Sequence, residues 1–379
     1  MLAFHELTLR SRTQIAEDAC ALTFEIPAGL EREYRFLPGQ HVVVRAAVNG
    51  RPLRRNYSIV NPRGETGRDP DAIMIGVRVQ GEVSRHLAHG LEVNGRLEVM
   101  PPGGSFHPQL DPSHAKRYVA LAAGSGITPV LTIVASILAA EPLSEIVLAY
   151  ANRSLARTMF LDEVLALKDR HPSRLTLHFL MSREPQEIEL YNGRLTAEKL
   201  DALPGRLLTP GAVDEYFLCG PQGMIDDLSS ALRVRGITAS VRLERFGVVR
   251  KSVAEAAASG TETAGLPDAR IAGGIAGIEG VESIGATTQV TVIVDGRRRS
   301  FIMARNGQSV LEAAERAGLE LPFACRAGVC STCRAKLVAG QVSMAYNQAL
   351  EEPEVASGHI LCCQARPLTP HIELDYDSR

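Results

Sequence analysis

Along residues 1 to about 110, apolar and polar positions alternate in short runs: Leu22–Ile26, His41–Arg45, Asn56–Val60, Ile73–Val79 and Arg96–Met100. A period of two puts every second side chain on one face, the signature of a half-buried strand. Pro-Gly, Asn-Gly and Pro-Arg-Gly turns separate the runs, and this rhythm predicts a small antiparallel β-barrel. From about 115 the pattern changes. Apolar strands at Lys116–Ala123, Ile146–Tyr150, Leu175–Leu180 and Glu215–Cys219 alternate with helical stretches ending at Ala140, running from Thr158 to Asp169, and ending at Arg235. That alternation implies a parallel sheet with helices on both faces.

Residues 247–288 are rich in Ala and Gly and hold no period, so they read as an interdomain linker with short helical turns. A new unit starts at 289. Strands Gln289–Val294 and Arg299–Met303 flank Asp295-Gly296, a hairpin signal. Ser309 is placed to cap a helix through Arg316 that Gly318 stops, and Ile372–Asp375 closes as a strand. The expected organisation is multi-domain: an antiparallel β-barrel over 1–112, an α/β parallel-sheet domain over 113–246, the linker 247–288, and an α+β unit over 289–379.

The 379 residues suffice for two or three domains, and the net charge of −2 gives no electrostatic case for nucleic acid. Arg297–Arg299 reads as a solvated hairpin edge. Met1–Glu6 shows no basic region leading into an apolar core, so no signal peptide is expected. The uncharged run Tyr118–Ala140 is broken by Gly124, Gly126 and Pro129. A helix after Pro129 would reach only about 18 Å, short of the roughly 30 Å hydrocarbon core, and no membrane span is expected. Seven cysteines without a secretory signal fit a reducing cytoplasm.

The densest chemistry lies near the end. Cys325, Cys330 and Cys333 form a C-x4-C-x2-C loop, and Cys362-Cys363 follow after a gap. This is the plant-type 2Fe-2S spacing. Two irons need four thiolates on one small volume. A loop of small residues (Ala324, Ala327, Gly328, Ser331, Thr332) lets the backbone wrap them and turn its N–H groups toward the sulfurs. A disulfide would need an oxidising compartment, and zinc more usually takes paired C-x2-C knuckles. Spacing, and the Cys-Gln ending, favour Cys363 over Cys362 as the fourth ligand.

Elsewhere the signals are individually weak. On the strand Arg54–Ser58, Arg55 can neutralise a phosphate, Tyr57 can stack on a planar ring and Ser58 can hydrogen-bond beside it. Gly81–Ser84 precedes a short helix and is equally an anion site and a plain cap. Gly124-x-Gly126 is shorter than the Rossmann fingerprint. Arg153-Ser154 and Ser182-Arg183 follow the second and third strands of the parallel sheet, where Arg accommodates a 2′-phosphate, so NADPH is favoured over NADH.

Taken in order, these pieces resemble a ferredoxin–NADP reductase type flavoprotein with a plant-type, β-grasp ferredoxin domain fused at its C-terminus. The resemblance covers nearly the whole chain except the linker. It implies FAD held by Arg55, Tyr57 and Ser58, with Val77 and Arg78 along the flavin and Gly81, Val83 and Ser84 at its pyrophosphate. It implies a nicotinamide-side turn at Gly124, Gly126, Thr128 and Pro129. It also implies a second nicotinamide motif at Cys219, Gly220, Pro221 and Met224, and a closing segment at Glu244 and Phe246. Cys219, Glu244, Phe246 and Ser58 are then the residues at the hydride path.

Within the family, Asn347–Gly358, Ile360–Gln364, the tail Leu374–Asp377 and Ser182–Pro185 are similar to the reductases of phenylacetyl-CoA epoxidase systems. The implied function is electron transfer from NADPH through FAD and a 2Fe-2S cluster to a diiron oxygenase, in phenylacetate catabolism. Alternatives are a reductase for another oxygenase or hydroxylase, or for a hybrid-cluster acceptor. A redox sensor without turnover is a different class, and the intact Arg55, Tyr57, Cys219 and cysteine set speak against it.

Overall fold

A computed structural model describes residues 4–61, 71–246, 270–273, 287–350 and 352–378, in two compact units, one up to residue 246 and one from 270 on. In the first unit, β1 (His5–Ala16), β2 (Ala19–Glu25), β3 (His41–Val48), β4 (Arg51–Ser58), β5 (Ala72–Arg78) and β6 (Arg96–Val99) pair antiparallel in the order β4-β3-β6-β1-β2-β5. A bridge between Ile59 and Ile75 joins the two edges and closes the barrel. The alternation puts Leu22, Phe24, Val42, Val44, Ile73, Ile75 and Val77 in its core. Asn49-Gly50 turns β3 into β4 with φ of 52° and 72°, the left-handed pair that a two-residue hairpin requires. The first strand, β1, was not expected: Leu7 and Leu9 are its buried apolar residues, too short a signal beside its polar half.

The α/β layer follows: β7 (Arg117–Ala123), α-helix Ile127–Ala140, β8 (Glu145–Asn152), helix Leu161–Arg170, β9 (Leu175–Met181), helix Ala197–Ala202, β10 (Glu215–Pro221), helix Gln222–Val234 and β11 (Ser240–Phe246). All five strands are parallel in the order β11-β10-β7-β8-β9. Tyr118, Ala120 and Ala122 pack with Ile127, Val130 and Val134, while Val119 and Leu121 pack with Leu200, Leu228 and Leu232. Helices therefore cover both faces, as period-two strands with no polar side demand. The helix expected from Thr158 begins at Leu161, because Phe160 is left-handed at φ 56°. Met159 and Phe160 are instead buried against the barrel, where a side chain at Gly76 would meet Phe160 at 2.9 Å and Thr128 at 2.7 Å. Thr132 Oγ1 also donates to the Ile59 carbonyl at 2.9 Å, so barrel and sheet share a close seam. Among the described residues, no helix is long and apolar enough to cross a membrane.

One buried acid ties the connection between barrel and sheet to the sheet itself. Glu141 is fully buried. Its carboxylate accepts from the Asp111 N–H (3.2 Å), Tyr118 Oη (2.9 Å) and Ser144 Oγ (2.8 Å), and meets His114 Nδ1 at 2.9 Å. Burial alone would raise its pKa, but the bonds from His114, Ser144, Asp111 and Tyr118 outweigh it and hold the pKa below the ordinary value. A depressed carboxylate contributes stability above the unfolded-state pKa and loses it as pH falls through the folded value. Glu141→Gln should cost about 1–3 kcal/mol at pH 7. In urea unfolding, the gap to wild type should narrow as pH falls below the ordinary glutamate range.

The second unit holds β12 (Arg270–Gly273), β13 (Thr287–Val294), β14 (Arg297–Ala304), helix Val310–Arg316, β15 (Arg334–Met344), helix Glu352–Ala356, β16 (His359–Leu361), β17 (Ala365–Pro367) and β18 (His371–Asp375). The mixed sheet runs β12-β15-β18-β13-β14, with β16 and β17 also on β15 and only β13 and β18 parallel. Ser309 and Glu312 form a reciprocal capping box (3.2 and 2.9 Å). Within the expected linker, Arg270–Gly273 is a strand whose backbone pairs with β15. The stretches 247–269 and 274–286 lie outside the described residues.

Candidate functional site

Four cysteines converge at one end of the second unit. The loop that carries three of them is bent by left-handed residues at Arg326 (φ 55°), Gly328 (72°) and Ser331 (49°). A side chain at Gly328 would strike the Tyr346 carbonyl at 2.8 Å, so only glycine fits. The sulfurs associate as two pairs, Cys325 with Cys330 and Cys333 with Cys363. Cys330 and Cys333 interact across the pairs, as do Cys325 and Cys363. Bonding from Cys330, with N–H groups of Ala327, Val329 and Cys330, pulls the Cys325 thiol down to about 6 despite burial. Cys333, Gln364 and the Gly328 N–H likewise lower Cys363. Burial and these same contacts push their partners Cys330 and Cys333 well up.

Among the described residues, no three His, Cys, Asp or Glu side chains converge as they would on a single ion. Two pairs of sulfurs within a nest of N–H groups instead fit two irons, two thiolates to each. Cys362 turns the other way. It is 0 % exposed in the apolar core, against the Tyr376 hydroxyl. Burial pushes its thiol up to about 12.

In the first unit, a row of side chains runs from barrel to sheet. β3 and β4 set His41 opposite Ser58, and β10 and β11 set Cys219 opposite Glu244. Cys219 Sγ lies 3.9 Å from Glu244 Oε2, and Glu244 Oε1 lies 3.7 Å from His41 Nδ1. Burial first, then the charge and hydrogen bond of Glu244, push the Cys219 thiol well up, so it is a neutral donor rather than a nucleophile. The Ser58 hydroxyl is buried without a hydrogen-bond partner, the state expected of a group that serves a ligand. Phe246 ends β11 with its backbone opposite Pro221; its side chain lies outside the described residues. His41 was not singled out from the sequence. The one signal was a polar residue opening the apolar run Val42–Val44, and nothing local says which strand it faces.

The remaining residues are placed as follows. Arg55 is exposed and donates to the Arg54 carbonyl at 2.7 Å, leaving most of its guanidinium for an anion. Tyr57 is half-buried against the barrel core. Together with the Ser58 hydroxyl, these groups fit a flavin. Val77 points into the barrel core, so only its backbone can face a ligand. Arg78 is held by Asp18 at 3.4 Å and donates to the Arg157 carbonyl, in the seam between barrel and sheet. Ser84 Oγ accepts from Gln80 and Gly81 N–H at 2.9 Å each, so its hydroxyl is spent on the turn and first-turn N–H groups remain. Val83 is buried.

At the carboxyl ends of the parallel strands, a short 3-10 turn Gly124–Gly126 leads into the first long helix, with Thr128 Oγ1 donating to Ser125 O at 2.9 Å and Pro129 in the first turn. Gly126 is required by contact: a Cβ there would lie 2.1 Å from the Cys219 carbonyl oxygen. At Gly220, a Cβ would lie 2.7 Å from Met224 Cε. Arg153 and Arg183 stand side by side, joined by Arg183 N–H to Arg153 O at 2.8 Å, and Ser182 N–H reaches Asn152 O at 2.9 Å. Both arginines are exposed. Beside Ser154, the carboxylate of Glu184 is taken up by the Leu155 N–H at 2.7 Å.

Family models match along the chain: an oxidoreductase FAD-binding domain at residues 6–107, an oxidoreductase NAD-binding domain at 120–230, and a 2Fe-2S iron-sulfur cluster binding domain at 292–368. The chain is 37% identical over 382 residues to a component of the 1,2-phenylacetyl-CoA epoxidase of Escherichia coli (strain K12), covering 100% of this chain and 99% of that one. It is 28% identical to the ferredoxin reductase component of 3-ketosteroid-9-alpha-monooxygenase of Rhodococcus rhodochrous, over 98% of this chain and 96% of that one. In fold it is similar to phthalate dioxygenase reductase, with a TM-score of 0.54, 22% identity and 98% of each chain covered. It is also similar to a type IV self-sufficient cytochrome P450 monooxygenase, with a TM-score of 0.67 and 21% identity over 98% of this chain and 41% of that one.

Proposed function

The chain belongs to the family of oxygenase reductase components that includes the matching component of the Escherichia coli 1,2-phenylacetyl-CoA epoxidase, and we propose that it serves a diiron oxygenase of the phenylacetyl-CoA epoxidase kind with electrons from NADPH. It is an NAD(P)H-dependent reductase with FAD-binding, NAD-binding and 2Fe-2S domains. Flavin, when bound, accepts a hydride and gives up electrons singly, and the cluster carries one at a time. The chain's own residues supply binding and orientation. Arg55, Tyr57 and Ser58, with Val77 and Arg78 and the turn Gly81, Val83 and Ser84, hold the flavin. Gly124, Gly126, Thr128, Pro129, Gly220, Pro221 and Met224 line the nicotinamide side, where Cys219, Glu244 and Phe246 meet the ring with Ser58. Cys325, Cys330, Cys333 and Cys363 ligate the cluster. The domains divide at 1–112, 113–246, 247–288 and 289–379, with the strand Arg270–Gly273 inside the linker and Thr287–Thr288 just before 289 joining the sheet of the last one. The seven free thiols suit a reducing cytoplasm.

The observation that carries this reading is the two-by-two pairing of the cysteine sulfurs in a chain that also holds the Cys219–Glu244 site. One polypeptide has both a hydride site and a one-electron outlet. The test is anaerobic stopped-flow absorbance with NADPH and with NADH, followed by assay with a phenylacetyl-CoA epoxidase oxygenase component. Fast flavin bleaching with NADPH, then loss of cluster absorbance, then phenylacetyl-CoA-dependent NADPH consumption, is expected. Efficient reduction of cytochrome c without that consumption would assign the chain to another oxygenase, the second reading that the 3-ketosteroid relatives favour.

The choice of NADPH rests on Arg153, Ser154, Ser182 and Arg183. Two exposed arginines whose backbones are joined at adjacent strand ends suit the 2′-phosphate. Replacing both Arg153 and Arg183 by Ala should raise the KM for NADPH by roughly tenfold or more, with little change for NADH. Faster wild-type bleaching with NADH would overturn the assignment.

A further inference from the structure

His41 opens β3 and is 5 % exposed. Its backbone is fixed by two hydrogen bonds with Gly103, at 3.0 and 2.9 Å. Space for the ring is built into the chain: Gly104 has a φ of 111°, and a Cβ there would lie 2.9 Å from His41 Nδ1. The ring faces Glu244, whose side chain is 14% exposed, at 3.7 Å. A carboxylate this enclosed needs a partner. With one oxygen toward the imidazole, the other is left for the Cys219 thiol at 3.9 Å. Both contacts are longer than ordinary hydrogen bonds, as catalytic contacts often are before substrate binds.

We propose that His41 is a positioning residue for hydride transfer: it orients the Glu244 carboxylate so that its second oxygen holds the Cys219 thiol at the nicotinamide side. This rests on the functional reading above. The imidazole acts through Glu244 and touches neither reacting group. Its effect is to remove the rotational freedom of a carboxylate that would otherwise swing between the thiol and solvent. A displacement of about 1 Å at such a site is enough to cost on the order of a hundredfold in rate.

The test is a double-mutant cycle on the flavin-loaded full chain, with His41→Leu, Glu244→Gln and the double variant, and with His41→Asn, whose amide occupies the Nδ1 position. Anaerobic flavin reduction by NADPH is followed in single turnover. The difference spectrum and dissociation constant of NADP⁺ on the oxidised protein are measured alongside. His41→Leu should slow reduction by about tenfold or more, and His41→Asn should recover it to within about threefold. In the Glu244→Gln background, His41→Leu should cost less than about twofold, since its route of action is already gone. The NADP⁺ difference spectrum should weaken equally in His41→Leu, Glu244→Gln and the double variant, with the dissociation constant held.

Losses that multiply in the double variant, an Asn variant as slow as Leu, or a Leu variant at the wild-type rate would each overturn the proposal. If His41→Leu yields no soluble flavoprotein, His41→Gln takes its place in the cycle, its amide reaching past the Nδ1 position, with the same ordering expected. If the wild type takes no hydride from NADPH or NADH, the functional reading falls. If it does and the losses multiply, only the role of His41 falls.

Discussion

Cys363→Ala should leave a protein that binds flavin and is bleached by NADPH but has lost the visible bands of the cluster. Its reduction of cytochrome c should fall by at least about a hundredfold, the upper end of what losing a mere outer partner of a metal site costs. Cys362→Ala should keep both bands and electron transfer. The two residues are neighbours, and the difference between them is direction. Cys363 meets Cys333, the Gly328 N–H and the Gln364 amide, at 3.5 Å from Gln364 Nε2. Cys362 sits against Tyr376 in the core. Removing its buried sulfur opens a small cavity in the packed core beside Tyr376, which should cost stability by about 1–3 kcal/mol. Absorbance and circular dichroism in the visible range, on protein reconstituted with iron and sulfide, separate the two variants. A Cys362→Ala without the cluster bands beside a Cys363→Ala that keeps them would exchange their roles.

Gly126→Ala should be the most damaging methyl that can be added to the nucleotide-binding half. The new Cβ would lie 2.1 Å from the carbonyl oxygen of Cys219 and 2.5 Å from its carbonyl carbon. Neither is the end of a flexible side chain, so the turn or β10 must move. Overpacking of this kind costs about 1–3 kcal/mol. Because the displaced backbone belongs to Cys219, the thiol moves relative to Glu244. Hydride transfer should therefore fall by on the order of a hundredfold, beyond what the stability loss explains. The measurements are thermal unfolding and single-turnover flavin reduction. A variant that folds with wild-type stability and rate would show that the turn has slack that the contact distances deny.

The three-part architecture and the family were legible because they depend on local order. Period-two runs with Asn-Gly turns make a barrel, apolar strands alternating with helices make a parallel sheet, and C-x4-C-x2-C makes a cluster loop. Two of the elements that were not legible, β1 and β11, have a common cause. β1 buries few apolar residues, and β11 carries Arg242, Glu244 and Arg245 among its seven residues. Each is a strand because a neighbour supplies its ladder. Arg78 shows the reverse case. The resemblance sets it along the flavin, while its guanidinium is engaged by Asp18 and the Arg157 carbonyl, a pairing between β5 and a turn far along the chain.

By itself, then, the sequence determined what depends on neighbours in the chain: which residue types alternate, where the turns fall, how thiolates are spaced in one loop, and that two arginines follow adjacent strand ends. Only the tertiary structure decided what depends on which strands become neighbours. It turned Cys363 toward Cys333 and Cys362 toward Tyr376, and it brought His41 of the barrel to Glu244 of the sheet. It also made Gly126 indispensable to Cys219. The physical reason is that side-chain direction alternates residue by residue, whereas the partner it meets is set by strand order, and strand order is a property of the whole packed chain.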